Sequence, residues 1–440
     1  MEEIYDISRI LITQGTSIKE GSIAALDRYN DRLVPITFSR PSVATIINKF
    51  GKIETVSSNI PRWDWSEKLG CPSLLIEKQS SNLSIYSELF EAFLGNWDVN
   101  NITISNNAGM SPDGKINANL ITSVNSLTSG TVHLKYTTVS SELPSSGIYT
   151  ISIFAKKGTS NWLAINTVNF SIPNATTYFN LDTGYVGYSD STHINKGIID
   201  YGNGWYRCYI NITLGTDRIG EIRYYISNTN ESVLIDRNGS DSLYLWGHQI
   251  EYSSTMTSYI PTTNTSVTRF RDIVNKTSLS DYIDDTAGTI IFEASVSDDT
   301  INNDISINGG NSTNRVIIRF DIDNTIKAFI IKDGTTIATL IGVNYVPNIY
   351  YRIILRYERN NFNLDIDGFS LDFDLDGFTF ESGDLHTLSF DGDSNGSLPF
   401  YGRVKLLSLL DISLLDSEIT DFSLFDTFSE MGVSKNYTII

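Results

Sequence analysis

The 440-residue chain predicts an all-β fold, two consecutive antiparallel β-sandwiches preceded by a short N-terminal attachment region. Three observations predict it. Tyr 23, Phe 21 and Trp 6 stand among many Ile, Val, Thr, Ser and Asn, a mixture suited to pleated strands and polar turns. The charged fraction is only 19% and alanine is scarce, which disfavours helices. Short apolar or alternating runs also recur between Gly-, Asn- and Asp-containing turns, and the length allows two or three domains with their own cores.

The elements follow in order. Residues 1–35 interleave Ile10, Leu11, Ile23 and Leu26 with Lys19, Arg28 and Arg32. They hold too little apolar material for a domain, so a docking arm or a partly ordered terminus is expected. Residues 36–71 form a bridging segment. Strand runs then recur across 72–272, among them Tyr149-Thr-Ile-Ser-Ile-Phe-Ala155, Trp162-Leu-Ala-Ile-Asn166 and Ile222-Arg-Tyr-Tyr-Ile226, separated by turn groups such as Asn203-Gly204. Polar residues 273–286 read as a linker. A second β domain is expected over 287–425, with hairpin turns at Asp333-Gly334 and Asp367-Gly368. Residues 426–440 read as an unanchored or partner-bound tail.

Two phrases bracket the first domain: Cys71-Pro-Ser-Leu-Leu-Ile-Glu77, followed by Asn82 and Ser87, and Leu245-Trp-Gly-His-Gln-Ile-Glu251, followed by Ser258-Tyr-Ile-Pro-Thr262. With Phe38-Ser-Arg-Pro-Ser-Val-Ala-Thr45, Asn59-Ile-Pro-Arg62, Tyr201-Gly-Asn-Gly-Trp-Tyr-Arg-Cys208, Arg269 and Asp272, they resemble a β-sandwich module of tailed-bacteriophage virion proteins. That resemblance implies a jelly-roll, carbohydrate-binding-like domain. The order Tyr351-Arg-Ile-Ile-Leu355, Asp365-Ile-Asp-Gly368 and Phe400-Tyr-Gly-Arg-Val404 is similar to laminin-G/concanavalin-A-like sandwiches. Together the resemblances imply a head (capsid) or tail fibre located in the virion, with virion proteins and surface polysaccharide as partners and a homotrimer as the assembly.

A net charge of −19 disfavours binding to a phosphate backbone, so no nucleic-acid partner is expected. No signal peptide and no run of about twenty apolar residues is read, so neither export nor membrane insertion is expected. Cys71 and Cys208 lie too far apart in sequence to suggest a disulfide framework or metal cluster and read as free thiols.

Asp391-Gly-Asp-Ser-Asn-Gly396 starts like a calcium loop, with Asp391, Asp393 and Asn395 as oxygen ligands, but Gly402 stands where an EF-hand needs Glu. Ca²⁺ at a loop site is weighed against an ordinary Asx/Gly turn, and no cofactor is required. Asp365, Asp367, Asp372, Asp374 and Asp376 alternate with Leu364, Ile366, Leu371, Phe373 and Leu375, which predicts carboxylates outward and the apolar set inward. Trp97, Trp162, Trp205 and Trp246 read as packing residues rather than a sugar platform. Trp63 and Trp65, in a polar stretch, are candidates for a virion or subunit contact.

Glu77 and Glu251, at equivalent strand ends, read as structural. His248 reads as packing or as a structural hydrogen bond. No catalytic motif is present and no catalytic residue is assigned. The function expected is non-enzymatic: reversible adhesion to host or environmental glycans. A purely structural decoration protein, or a capsule depolymerase using paired carboxylates, are the alternatives. The glycan-binding residues are not identifiable from the sequence.

Overall fold

The structure, a computed structural model, describes residues 8–13, 16–66, 71–138, 143–297, 300–392 and 396–423. Strands dominate it; among the described residues the one α-helix is Asp416–Ser423. Two antiparallel sandwiches are present, as the composition predicts, but they are nested rather than consecutive.

The outer sandwich is assembled from both ends of the described chain. One sheet runs through Phe369–Asp374, Asn361–Ile366, Tyr351–Glu358, Ala287–Val296 and Gly402–Leu410. Its last strand is then shared: Ile10–Thr13 pairs with residues 406–409, and Ser73–Ile76 with residues 402–404. The second sheet runs Ser22–Asp27, Arg32–Ser39, Ile273–Thr277, Thr387–Ser389, Asn303–Asn308, Arg315–Phe320, Thr325–Lys332 and Thr335–Asn344. A single core lies between them. It draws Ile10, Ile12, Ile23, Val34, Ile36 and Phe38 from the start of the chain, Leu74 and Ile76 from the middle, and Val274, Phe292, Leu355 and Leu409 from the end.

Two expectations are corrected by this pairing. Of residues 1–35, the described ones (8–13 and 16–35) are not a separate docking arm: their apolar positions have period two and fill the core of the outer sandwich, a pattern invisible until the partner strands, nearly four hundred residues away, are known. Residues 273–286 are not merely a linker either, because Ile273–Thr277 is inserted between Arg32–Ser39 and Thr387–Ser389.

The inner sandwich is an insertion whose stem is the pair Ser80–Asn82 and Val267–Arg269. One six-stranded sheet runs Trp97–Asn100, His133–Thr138, Gly220–Ser227, Trp162–Val168, Ala175–Asn180, Tyr185–Ser189. The other runs Ile102–Met110, Ile116–Ser123, Ser242–Glu251, Gly147–Lys157, Trp205–Leu214, Asn195–Gly202. The chain passes repeatedly from one sheet to the other, as in a jelly roll. Leu134, Tyr224, Leu163 and Phe179 of the first sheet face Ile121, Leu245, Ile151 and Ile210 of the second.

The four tryptophans of the inner sandwich pack, in three different places. Trp97 is in the inner core. Trp205 and Trp246 lie on the outer face of the second sheet, sealed by Phe154, Tyr259 and Ile53 of the hairpin formed by Ala44–Ile47 and Ile53–Val56. Trp162 is on the outer face of the first sheet with Tyr178 and Tyr225. Cys208 is buried and Cys71 half-buried, both free.

The acidic alternation is corrected as well. Asp365 is buried against Arg356 at 3.4 Å, while Phe369, Phe373 and Leu375 are 71%, 61% and 63% exposed. The register shifts between Leu364 and Asp365, so the parity that holds for Asn361–Ile366 is not carried into the next strand, and among the described residues Phe369–Asp374 pairs on one side only. Phe373→Thr is therefore expected to change stability by no more than about 0.5 kcal/mol. A chemical-denaturation midpoint checks this; a loss of several kcal/mol would return Phe373 to the interior.

Candidate functional site

The motif residues that bracket the inner sandwich converge where the two sandwiches join. Asp272 takes Arg40 Nη1 at 3.1 Å and a second, closer bond from Arg62 Nη2, and its Oδ2 also accepts the Glu77 amide at 2.8 Å. Glu77 takes Arg62 Nη1 at 2.6 Å and Arg269 Nη2 at 3.5 Å, and accepts from the Ser258 hydroxyl and amide at 2.6 and 2.7 Å. All five charged groups are buried. Burial alone would raise the Glu77 carboxyl, but Arg269, Arg62 and Ser258 reverse this and hold it well below the usual carboxylate range.

Glu251, at the equivalent strand end, accepts from Ser80 Oγ at 2.7 Å and Thr257 Oγ1 at 2.5 Å. Asn82 Nδ2 ties the carbonyls of His248 and Ile260, each at 2.9 Å. The structural role read for Glu77 and Glu251 matches this geometry. Chain segments more than 160 residues apart in sequence are held together here by side chains rather than by a continuous sheet.

Beside the junction lies a groove of about 640 Å³ to which both sandwiches contribute. The inner sandwich supplies Asn195, Asp200, Tyr201, Arg207 and Tyr209 and the loop Ser254–Tyr259; Ile46, Ile47, Asp64 and Trp65 come from the bridging region, and Asn348 and Arg403 from the outer sandwich. The aromatic rings are fixed from behind. Tyr201 meets Phe154 edge-on at 4.8 Å between centroids. The Tyr209 ring lies over Gly197, where an added Cβ would fall 2.5 Å from it. Trp65 is half-buried, its amide donating to Ile47 O at 2.8 Å.

The polar groups divide into two kinds. Asp64 is saturated by Arg403 Nη1 at 2.8 Å and the amides of Ile47 and Ser66. Asn195, Asp200 and Asn348 are exposed on the groove wall. The two buried carboxylates of the groove, Asp64 and Glu77, each hold an arginine. Glu77 is thereby kept ionised, the reverse of what a general acid needs.

The residues singled out from sequence fare differently. Trp63 and Trp65 diverge: the Trp63 indole donates to Thr16 O at 3.0 Å and packs on the outer core, whereas Trp65 lines the groove. Of the proposed calcium ligands, Asp393 and Asn395 lie outside the described residues. Asp391 accepts from the Leu398 amide at 3.0 Å, as in a turn. Among the described residues no cluster of three or more His, Cys, Asp or Glu forms a metal-binding set. Tyr209, Asn195 and Asn348 carried no signal in the sequence; Tyr201 stood at the head of the Tyr-Gly-Asn-Gly-Trp motif, which marks a turn but not the direction of its ring.

No family model matches the chain, and no curated protein matches it. Among solved structures it is similar to a carbohydrate-binding module of a Ruminococcus gnavus sialidase bound to α2,3-sialyllactose, with 15% identity, 32% of this chain and 83% of that one covered, and a TM-score of 0.29. Mouse laminin α1 domains LG4-5 give 9% identity over 66% and 89%, with a TM-score of 0.24. A Trypanosoma rangeli sialidase gives 9% identity over 96% and 100%, with a TM-score of 0.28. Likenesses at these scores carry no functional argument. No helix among the described residues is long and apolar enough to cross a membrane.

Proposed function

We propose that the chain is a non-enzymatic glycan-binding protein and that the groove at the junction of the sandwiches is its binding site. One observation carries this reading: Trp65, Tyr201 and Tyr209 line the same concave surface as Asn195, Asp200 and Asn348. Aromatic faces take the C–H faces of a sugar ring while amides and carboxylates take its hydroxyls, and a site of mixed apolar walls with a few placed polar groups is the usual form of a ligand pocket.

The virion role rests on the sequence resemblance alone. In that setting the protein is a head or tail fibre, trimeric, its weak sites multiplied by avidity of about 10²–10⁴. The outward apolar row of Phe369, Phe373, Leu375 and Phe378 favours a second reading, an assembly subunit whose sandwiches contact other proteins.

A glycan array probed with the full chain, followed by titration of the best ligand against Trp65→Ala and Tyr201→Ala, tests the proposal. Each substitution is expected to weaken binding at least about tenfold, near 1.4 kcal/mol, in a variant that still melts cooperatively. Binding that persists undiminished in both variants places the site elsewhere; absence of any glycan binding favours the assembly reading.

A further inference from the structure

The strand Phe369–Asp374 ends the first sheet of the outer sandwich, pairing among the described residues with Asn361–Ile366 alone. An end strand is commonly guarded by lysine, proline or outward charge. Neither Lys nor Pro occurs between Phe369 and Phe378. Instead Phe369, Phe373, Leu375 and Phe378 are each more than half exposed. So is Ile341 on the last strand of the facing sheet, whose amide donates to Asp372 Oδ2 at 2.9 Å. The Asn360 amide donates to Gly377 O at 3.0 Å, which carries the line of the strand on to Phe378. The five side chains thus make one apolar strip.

The acidic residues of the same stretch are turned aside. Asp372 is spent on two amides, those of Ile341 and Phe373, each at 2.9 Å, and Asp374 accepts the Asp376 amide at 3.0 Å. Asp376 stays exposed, but Arg359 stacks over Phe378 at 5.0 Å and sets a positive charge at the same end. A chain of net charge −19 repels its own copies. Along this strip that repulsion is locally relieved.

We propose that the strip is where copies of this chain join, row against row. The proposal rests on the assembly reading and deepens it by naming the occupant, a second copy. At roughly 150–250 Å² for a whole aromatic side chain, the five residues uncover about 600 Å² per copy, the upper end of what monomers leave open. Two copies together then cover about 1,200 Å², above the ~1,000 Å² that a specific interface has to clear. An apolar strip also meets its own copy without needing a differently shaped partner surface, about a twofold axis in a dimer or a threefold axis in the trimer that the sequence resemblance implies.

Sedimentation velocity of the full chain, from nanomolar to tens of micromolar concentration, tests this without any glycan. The wild type is expected to associate as concentration rises, and more tightly as salt is raised, since salt screens the like charges and leaves the apolar contact intact. Phe373→Thr, expected to leave the protomer as stable as before, should weaken association at least about thirtyfold, because every contact loses a ring from each copy. A wild type that stays monomeric overturns the inference and leaves the strip to an unlike partner. An oligomer equally tight in Phe373→Thr overturns it too, placing the contact elsewhere, and so does association that salt weakens, which would rest on charge pairs instead.

If Phe373→Thr does not fold, amide hydrogen exchange of the wild type replaces it. Protection of residues 369–378 is expected to rise with protein concentration, and protection independent of concentration overturns the inference equally. None of the five residues lines the groove, so a monomer that still binds glycan sinks this inference alone and leaves the glycan proposal standing.

Discussion

A chain lacking residues 1–27 is expected to lose the outer sandwich altogether, not to yield a trimmed but folded protein. The deletion removes Ile10, Ile12 and Ile23, each 0% exposed, together with Ala25. At about 1.5–3 kcal/mol per fully buried large aliphatic side chain, three isoleucines amount to roughly 5–9 kcal/mol. Typical domains have about 5–15 kcal/mol in total. The loss also uncovers the inner faces of Val34, Phe292 and Leu409 and leaves residues 406–409 unpaired on one side, an open invitation to aggregation.

Circular dichroism and thermal melting of the deletion decide the matter. A cooperative melt at the wild-type temperature would restore the detachable arm. The converse experiment has the opposite expectation: residues 78–270 alone should melt cooperatively, because the insertion has its own core and its ends meet in the stem pair.

This contrast also explains what the sequence disclosed. Strand content was legible because alternation and turns are local: Tyr149-Thr-Ile-Ser-Ile-Phe-Ala155 and Asp333-Gly334 announce themselves without reference to anything distant. The inner sandwich's limits were legible too, from the motifs on either side, but the make-up of the outer one was not, because the partner of Ile10–Thr13 is Gly402–Leu410 and no local pattern records a pairing across that separation. The same distinction divides the site. Arg62, Glu77, Arg269 and Asp272 were visible as motif residues, since they lie beside recognisable strand ends; that they form one cluster needed the fold.

The groove was the least legible part. Tyr209 and Asn195 occupy the outward positions of strands whose inward positions carry the apolar signal, and outward residues on a partly covered sheet look like ordinary surface. The packing read for His248 is what the structure has, but the bulge that turns the ring inward was not legible: it changes parity at one residue, and only Gly247 hints at it.

Asp272→Ala is expected to cost about 3–5 kcal/mol, the range for removing one partner of a buried ion pair and leaving the other charged and desolvated. Here the effect reaches several strands. Arg40 and Arg62 both lose their shared carboxylate, and the Glu77 amide loses its acceptor. Arg40 also binds Ser42 O and Ser57 O, and Arg62 also binds Thr45 O, so the substitution loosens the hairpin that seals Trp205 and Trp246.

Asp272→Asn separates charge from shape. It keeps an acceptor for the Glu77 amide but leaves Arg40 without its carboxylate and Arg62 with Glu77 alone, so its loss should fall short of the alanine variant while remaining clear of the wild type. The exposed pair Lys157–Asp182 supplies the control: both side chains are nearly half exposed, and Asp182→Ala should leave the midpoint where it was. Equilibrium denaturation of the three variants measures the differences, and limited proteolysis locates them. Cleavage of Asp272→Ala should begin in residues 44–56 and 252–262, the segments the cluster holds. If Asp272→Ala instead melts with the wild type, the cluster is not what joins the sandwiches, and the groove between them loses the rigid floor on which its aromatic residues are aligned.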